Sequence, residues 1–241
     1  MTPAALIFDV FGTMVDWRNS VARQVNTVAS EKHLELDAAD FADRWRAQYD
    51  PSMKPVRDGL RDYVVLDDLH YENLLVVLSD LGLSDRFSDE ECRALSKAWE
   101  RLDPWPDVSR GLPLLGKITL LAPCSNGSIG LMSRIARHAG FKWDCILGAE
   151  IARNYKPHPS VYLSACKALR LNPEEVMMVA AHNDDLTAAA ALGLQTAFVP
   201  RPTEYGPTQV KDLAPQGNWN IVASDFPDLA TKLNTFRALQ S

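Results

Sequence analysis

With 241 residues, 46% hydrophobic and 23% charged, the chain can form one large domain or a core domain carrying a smaller insertion, and it has enough apolar side chains to bury a core. A formal net charge of -6 without a basic stripe interleaved with aromatics argues against nucleic acid, and no apolar run approaches a membrane span. Asp9 interrupts a short N-terminal apolar run that lacks a basic lead, a poor signal peptide, and the scattered Cys92, Cys124, Cys145 and Cys166 lack zinc-type spacing, which points to a reducing, cytoplasmic setting.

In chain order, Ala4-Ala5-Leu6-Ile7-Phe8 runs straight into Asp9, and Gly12-Thr13 follows, the pattern of a fully buried strand ending in a turn. A carboxylate at the mouth of such a strand must be hydrogen-bonded or paired. It either serves chemistry there or caps the next segment, and these residues alone leave both open. Residues 16–98 read as helix after helix, an insertion. Val21, Val25 and Val28 recur behind Asn19 as a cap, and Phe41, Trp45 and Tyr49 form a stripe behind Asp37. A further helix spans 64–81 up to Gly82, and Ser88-Asp89-Glu90-Glu91 signals a capping box ahead of Cys92, Leu95 and Trp99. Asp103-Pro104-Trp105-Pro106 is a stiff return to the core. Short apolar runs at 118–124, 145–149, 176–181 and 196–199 follow, the first three each succeeded by a helical stretch, which is the signature of a parallel sheet with crossover helices. Residues 200–220, rich in Pro and Gly, read as a surface loop before a short strand near Ile221 and a last helix from about Asp225.

In open α/β sheets ligands bind outside the carboxyl ends of the strands. Asp9, then Ser125 and Asn126, then Lys156, then His182, Asp184 and Asp185 occupy those positions. Ser125-Asn126-Gly127-Ser128 can hold an anion or simply cap a helix. Lys156 precedes Pro157, which puts it in an extended connector, and an ammonium beside Asp9 would keep the carboxylate ionised. Arg46 lies on the second inserted helix, where most arginines are solvated.

Asp9-Val10-Phe11-Gly12-Thr13 behind a buried first strand resembles the nucleophile motif of the haloacid dehalogenase superfamily. The resemblance implies an α/β fold, a doubly wound, mostly parallel Rossmann-like core at residues 1–15 and 99–241, with an all-helical cap domain at 16–98. Phosphatases of that superfamily carry a second acid two positions after the nucleophile; Phe11 stands there and fits the (S)-2-haloacid dehalogenase branch, where an aromatic is usual. Metal-dependent members place another acid four residues before Asp185, and here that position is Ala181, so neither metal nor other cofactor is expected.

By the same resemblance, Asp9, Thr13, Lys156 and Asp185 belong to the catalytic set. Ser125 would hold the substrate carboxylate, Asn126 the carboxylate or halide, and Arg46 would face the leaving halide, with Phe11 and Tyr162 also in the substrate site. Tyr162 fits core packing equally well. The branch usually has Ser-Ser-Asn where this chain has Ala180-Ala181-His182. His182 therefore takes over the Asn role, acts as a base, or is a core histidine with satisfied hydrogen bonds. The activity implied is hydrolysis of short (S)-2-haloalkanoic acids to 2-hydroxy acids through an ester on Asp9, with inversion. The alternatives are a phosphatase or phosphonate hydrolase on the same fold, or a non-catalytic binding protein, against which the joint presence of Asp9, Lys156 and Asp185 argues. The partner implied is a small haloacid, and homodimers are common in the branch.

Overall fold

A computed structural model describes residues 2–238. Strand β1 (Ala5–Phe8) is buried along its whole length, with Leu6 and Phe8 in one apolar cluster and Ile7 in another. A strand apolar on both faces belongs in the middle of a parallel sheet covered on both sides. The chain then forms β2 (Val15–Asp16) and a run of helices: α1 (Trp17–Glu31), α2 (Ala38–Ala47), α3 (Tyr49–Arg57), α4 (Leu66–Asp80) and α5 (Asp89–Ser96). It returns through β3 (Asp103–Pro104), antiparallel to β2 with Val15 opposite Pro104. This ribbon marks where the helical run leaves and rejoins the sheet.

The rest alternates helix and strand: α6 (Pro106–Leu115), β4 (Leu120–Ser125), α7 (Ile129–Ala139), β5 (Leu147–Gly148), α8 (Ala149–Ala152), α9 (Pro159–Leu169), β6 (Val176–Ala180), α10 (Asn183–Ala190), β7 (Gln195–Phe198), β8 (Ile221–Val222) and α11 (Phe226–Ala238). The sheet order is β5-β4-β1-β6-β7-β8, every pairing parallel. The chain leaves β1 for β4 on one side and later returns to β6 on the other. The carboxyl end of β1 is therefore a topological switch point, where such sheets open a crevice.

Most anticipated elements stand within two residues of their expected bounds. Asp37 accepts from Ala39 and Asp40, and Ser88 with Glu91 completes the capping box. One cap differs: Asp16, not Asn19, caps α1, and Asn19 N–H donates to it. Helices α3 and α6, each with an internal proline, and the two-residue ribbon strands lack a periodic signal long enough to be read from sequence. Among the described residues no helix is long and apolar enough to cross a membrane.

The helices inserted after β2 converge on an aromatic cluster. Trp99 stacks on His70 with ring centroids 4.4 Å apart and on Trp17 at 6.1 Å, and Trp45 meets it edge-on. Trp45 also donates its indole N–H to the His70 carbonyl at 2.9 Å, so the cluster is keyed by a hydrogen bond as well as by shape. Phe11 from the β1 turn presents edge contacts to Tyr49, His70 and Trp99. This contact sets the inserted helices directly over the strand end.

Candidate active site

The strand ends bring a small set of charged groups together. Asp9 follows β1 and its N–H donates to Val179 of β6, which fixes the residue at the switch point. One carboxylate oxygen, Oδ1, accepts from the Lys156 ammonium at 2.8 Å. The other, Oδ2, accepts from the Thr13 hydroxyl at 2.7 Å and lies 3.1 Å from His182 Nδ1. Thr13 in turn accepts the Ala181 N–H at 2.9 Å, so its own proton is directed at Asp9. Lys156 also donates to Asp185 at 2.5 Å, and the Tyr162 hydroxyl donates to the other Asp185 oxygen.

Burial alone would push the Asp9 carboxyl up, but the Lys156 ammonium and the His182 ring outweigh it and hold the group well below the usual carboxylate range. Burial disfavours charge on Lys156 too, yet Asp185 and Asp9 hold its ammonium above the ordinary lysine value. Asp185 moves upward, first because it is buried and then because Asp9 is charged nearby. His182 is raised well above its ordinary value, against its own burial, by Glu204 and Asp9. The cluster thus holds the Asp9 carboxylate ionised beside the Lys156 ammonium and the His182 ring.

Of the residues anticipated from sequence, Asp9, Phe11, Arg46, Asn126, Lys156, Tyr162, His182, Asp184 and Asp185 line one cleft of about 570 Å³, together with Tyr49, Asp50, Arg57, Pro157 and Lys211. Thr13 touches the cleft through Asp9. Ser125 is fully buried at the end of β4, outside that lining, and its hydroxyl accepts the Gly127 N–H at 3.2 Å. The adjacent Ser128 caps α7 through the Leu131 N–H, so that part of the motif does ordinary helix work. Asn126 accepts the Lys156 backbone N–H at 2.7 Å and so holds the lysine loop against β4.

Arg46 reaches the cleft from α2. Its guanidinium lies 3.7 Å from the centre of the Tyr49 ring and 5.4 Å from that of Trp17, a cation–π arrangement. Its Nη1 is buried and has no hydrogen-bond partner among the described residues. Beside it, His70 is held well below its ordinary value by burial and by the Arg46 charge, and so packs as a neutral ring.

Glu204 is the participant that sequence reasoning passes over. The 200–220 segment, read as a surface loop, turns three charged residues inward. Arg201 donates to the Thr13 carbonyl and forms a two-pronged pair with Asp107, and Asp212 accepts from the Asn183 N–H and side-chain amide. Glu204 is 1% exposed; one of its oxygens meets His182 Nε2 at 2.8 Å and the other accepts the Trp17 indole N–H at 3.0 Å. No local pattern marks an acid in a Pro- and Gly-rich stretch as buried. Arg57, which donates to the Lys156 carbonyl, is equally silent in sequence. Among the described residues no group of three or more His, Cys, Asp or Glu side chains is arranged to hold a metal ion.

The model of the haloacid dehalogenase-like hydrolase family matches residues 3–193. In three dimensions the chain is similar to a defluorinating L-2-haloacid dehalogenase, at 48% identity and a TM-score of 0.95, covering 96% of this chain and 95% of that one. It is similar to a second L-2-haloacid dehalogenase at 45% identity and a TM-score of 0.93, covering 98% and 100%. In sequence it is 29% identical over 208 residues to (S)-2-haloacid dehalogenase 4A of Burkholderia cepacia, 83% of this chain and 86% of that protein.

Proposed function

Because the chain belongs to the haloacid dehalogenase-like hydrolases, we propose from its site that it hydrolyses short (S)-2-haloalkanoic acids to 2-hydroxy acids, with Asp9 as nucleophile. The observation that carries this reading is the Asp9 carboxylate: buried, clamped by Lys156, Thr13 and His182, and facing a cleft that holds the unpartnered Arg46 Nη1. Residues 16–98 act as the cap that delivers Arg46, and the described residues of 1–15 and 99–241 form the core.

Oδ2 already accepts from Thr13 and faces His182, whereas Oδ1 accepts from Lys156 alone, so Oδ1 retains the lone pair for attack. It displaces halide from the substrate carbon with inversion, leaving an ester on Asp9. Arg46 stabilises the charge that grows on the departing halide, and Asn126 at the end of β4 contributes to holding the substrate carboxylate. Water then adds to the Asp9 carbonyl carbon, with Asp185 accepting its proton. The Cγ–Oδ1 bond breaks, and Oδ1 leaves with the substrate carbon, taking the proton of the new carboxyl to become the hydroxyl of the product. Lys156 already bridges Asp9 and Asp185, so this sequence requires no divalent ion. The likeness to a defluorinating enzyme extends the proposed substrates to 2-fluoro acids. The four cysteines are free thiols, which supports a reducing, cytoplasmic setting.

The test is halide release from racemic 2-chloropropionate in chelator-containing buffer, with 2-fluoropropionate alongside. Chloride should appear without added metal, stop near half conversion and vanish in Asp9→Asn. In heavy-oxygen water, label should enter Asp9 during turnover. Magnesium-dependent phosphate release without chloride would replace this reading with a phosphatase.

A further inference from the structure

Both ring nitrogens of His182 face carboxylate oxygens, Asp9 Oδ2 at 3.1 Å and Glu204 Oε2 at 2.8 Å. A neutral imidazole carries one N–H, so one of these contacts would set a lone pair against an anion. An imidazolium donates to both. Glu204 is itself immobilised: Trp17 holds its other oxygen, and Arg201, three residues earlier, is locked to Asp107 and the Thr13 carbonyl. The β1 turn makes room for it. Gly12 has φ of +87°, and a Cβ there would lie 2.0 Å from Glu204 Oε1. The carboxylate therefore occupies space that a glycine leaves open directly beneath the nucleophile turn.

Resting on the dehalogenase reading above, we infer that His182 is the oxyanion donor of the hydrolytic half-reaction, kept as an imidazolium and aimed by Glu204 as a positioning residue, and is not its general base. When Oδ1 is alkylated, Oδ2 becomes the ester carbonyl oxygen and keeps its Thr13 and His182 donors. As water adds to the carbonyl carbon, the π pair moves onto Oδ2, and the anion forms between a hydroxyl and a full positive charge. One water proton passes to Asp185. When the carbon–Oδ1 bond breaks, the alkoxide takes the proton of the new carboxyl, Asp9 returns as a carboxylate, and Asp185 releases its proton to solvent. The His182 proton never leaves. Glu204, Asp9 and Tyr205 act directly on the ring, and Arg46, Asp50, Arg57, Lys156, Asp184, Asp185 and Lys211 are the charged groups that share its cleft.

Glu204→Gln keeps the shape and removes the charge. With folding verified by circular dichroism, halide release in a single turnover should stay within about threefold of wild type while ester hydrolysis slows by roughly 10²–10³-fold. Intact-mass analysis should then find the ester adduct accumulated on the enzyme. The alkaline limb of the hydrolysis pH profile should move to lower pH, because the imidazolium loses its second anion. Equal slowing of both steps without an adduct, or an acid limb that moves instead, overturns the inference, the latter in favour of a general base. If the variant does not fold, ¹⁵N spectra of wild type decide: both His182 ring nitrogens should be protonated at about pH 8, above the ordinary histidine range, and a neutral ring there overturns it. Wild type that releases no halide from any 2-haloacid removes the dehalogenase reading, and that result is distinguishable before any variant is made.

Discussion

A buried and a half-buried histidine carry opposite electrostatics, and the difference is set by what each ring meets. His70 is stacked on Trp99, close to the Arg46 charge, with no carboxylate against it, and is held below its ordinary 6.5. His182 faces two carboxylates and is held above 6.5. A lowered histidine binds fewer protons folded than unfolded, so its contribution to stability is intact above 6.5 and erodes as pH falls below it. A raised histidine contributes fully below 6.5 and loses that contribution as pH rises through its folded value. The melting temperature should therefore decline on both sides, and calorimetry on His70→Phe and His182→Asn separates the limbs. The first should flatten the decline between about pH 6.5 and 5, before stabilised carboxylates such as Asp9 begin to lose their contribution, and the second the alkaline decline. An unchanged acid limb in His70→Phe would mean that other groups set it.

The helical insertion and the sheet meet through side chains more than through backbone. Trp99, just before the ribbon returns to the core, touches Trp17 of α1, Trp45 of α2, His70 of α4 and Phe11 of the turn after β1. Trp99→Ala should cost about 3–5 kcal/mol, the range for emptying a buried aromatic site, because four partners in separate elements cannot close the cavity together. The same change frees Phe11 and the α2 helix that carries Arg46. Denaturant titration should record the loss of stability, and kcat for haloacid should fall with it. A cost under about 1 kcal/mol would show that the cluster repacks.

Over the whole molecule, the net charge of -6 opposes an anionic substrate at long range. Around the cleft the charges balance: Asp9, Asp50, Asp184, Asp185 and Glu204 against Arg46, Arg57, Lys156, Lys211 and an imidazolium at His182. Capture must then rely on short-range donors, while the distant field repels. Raising ionic strength with a non-halide salt from about 0.01 M to 0.15 M shortens the screening length from about 30 Å to 8 Å. Screening should weaken the repulsion more than the close contacts, so kcat/KM for 2-chloropropionate should rise by up to about twofold. A steep fall would mean that attraction beyond the cleft guides the substrate.

Local sequence carries what depends on neighbours along the chain. The apolar run into Asp9, the caps at Asp37 and Ser88, and the alternation of short apolar runs with helices suffice to read a parallel α/β core with a helical insertion. Strand-end position likewise marks Asp9, Asn126, Lys156, His182 and Asp185 as candidates, because a parallel sheet brings those ends to one edge. What depends on contacts across the fold was decided only in three dimensions. Glu204 lies 187 residues from Trp17 and 22 from His182, inside a segment whose composition is that of an exposed loop. Its burial follows from Arg201 and Asp212 anchoring that segment inward and from the space left by Gly12. Those are long-range constraints, and they turn His182 from a residue with three open roles into a ring fixed between two carboxylates.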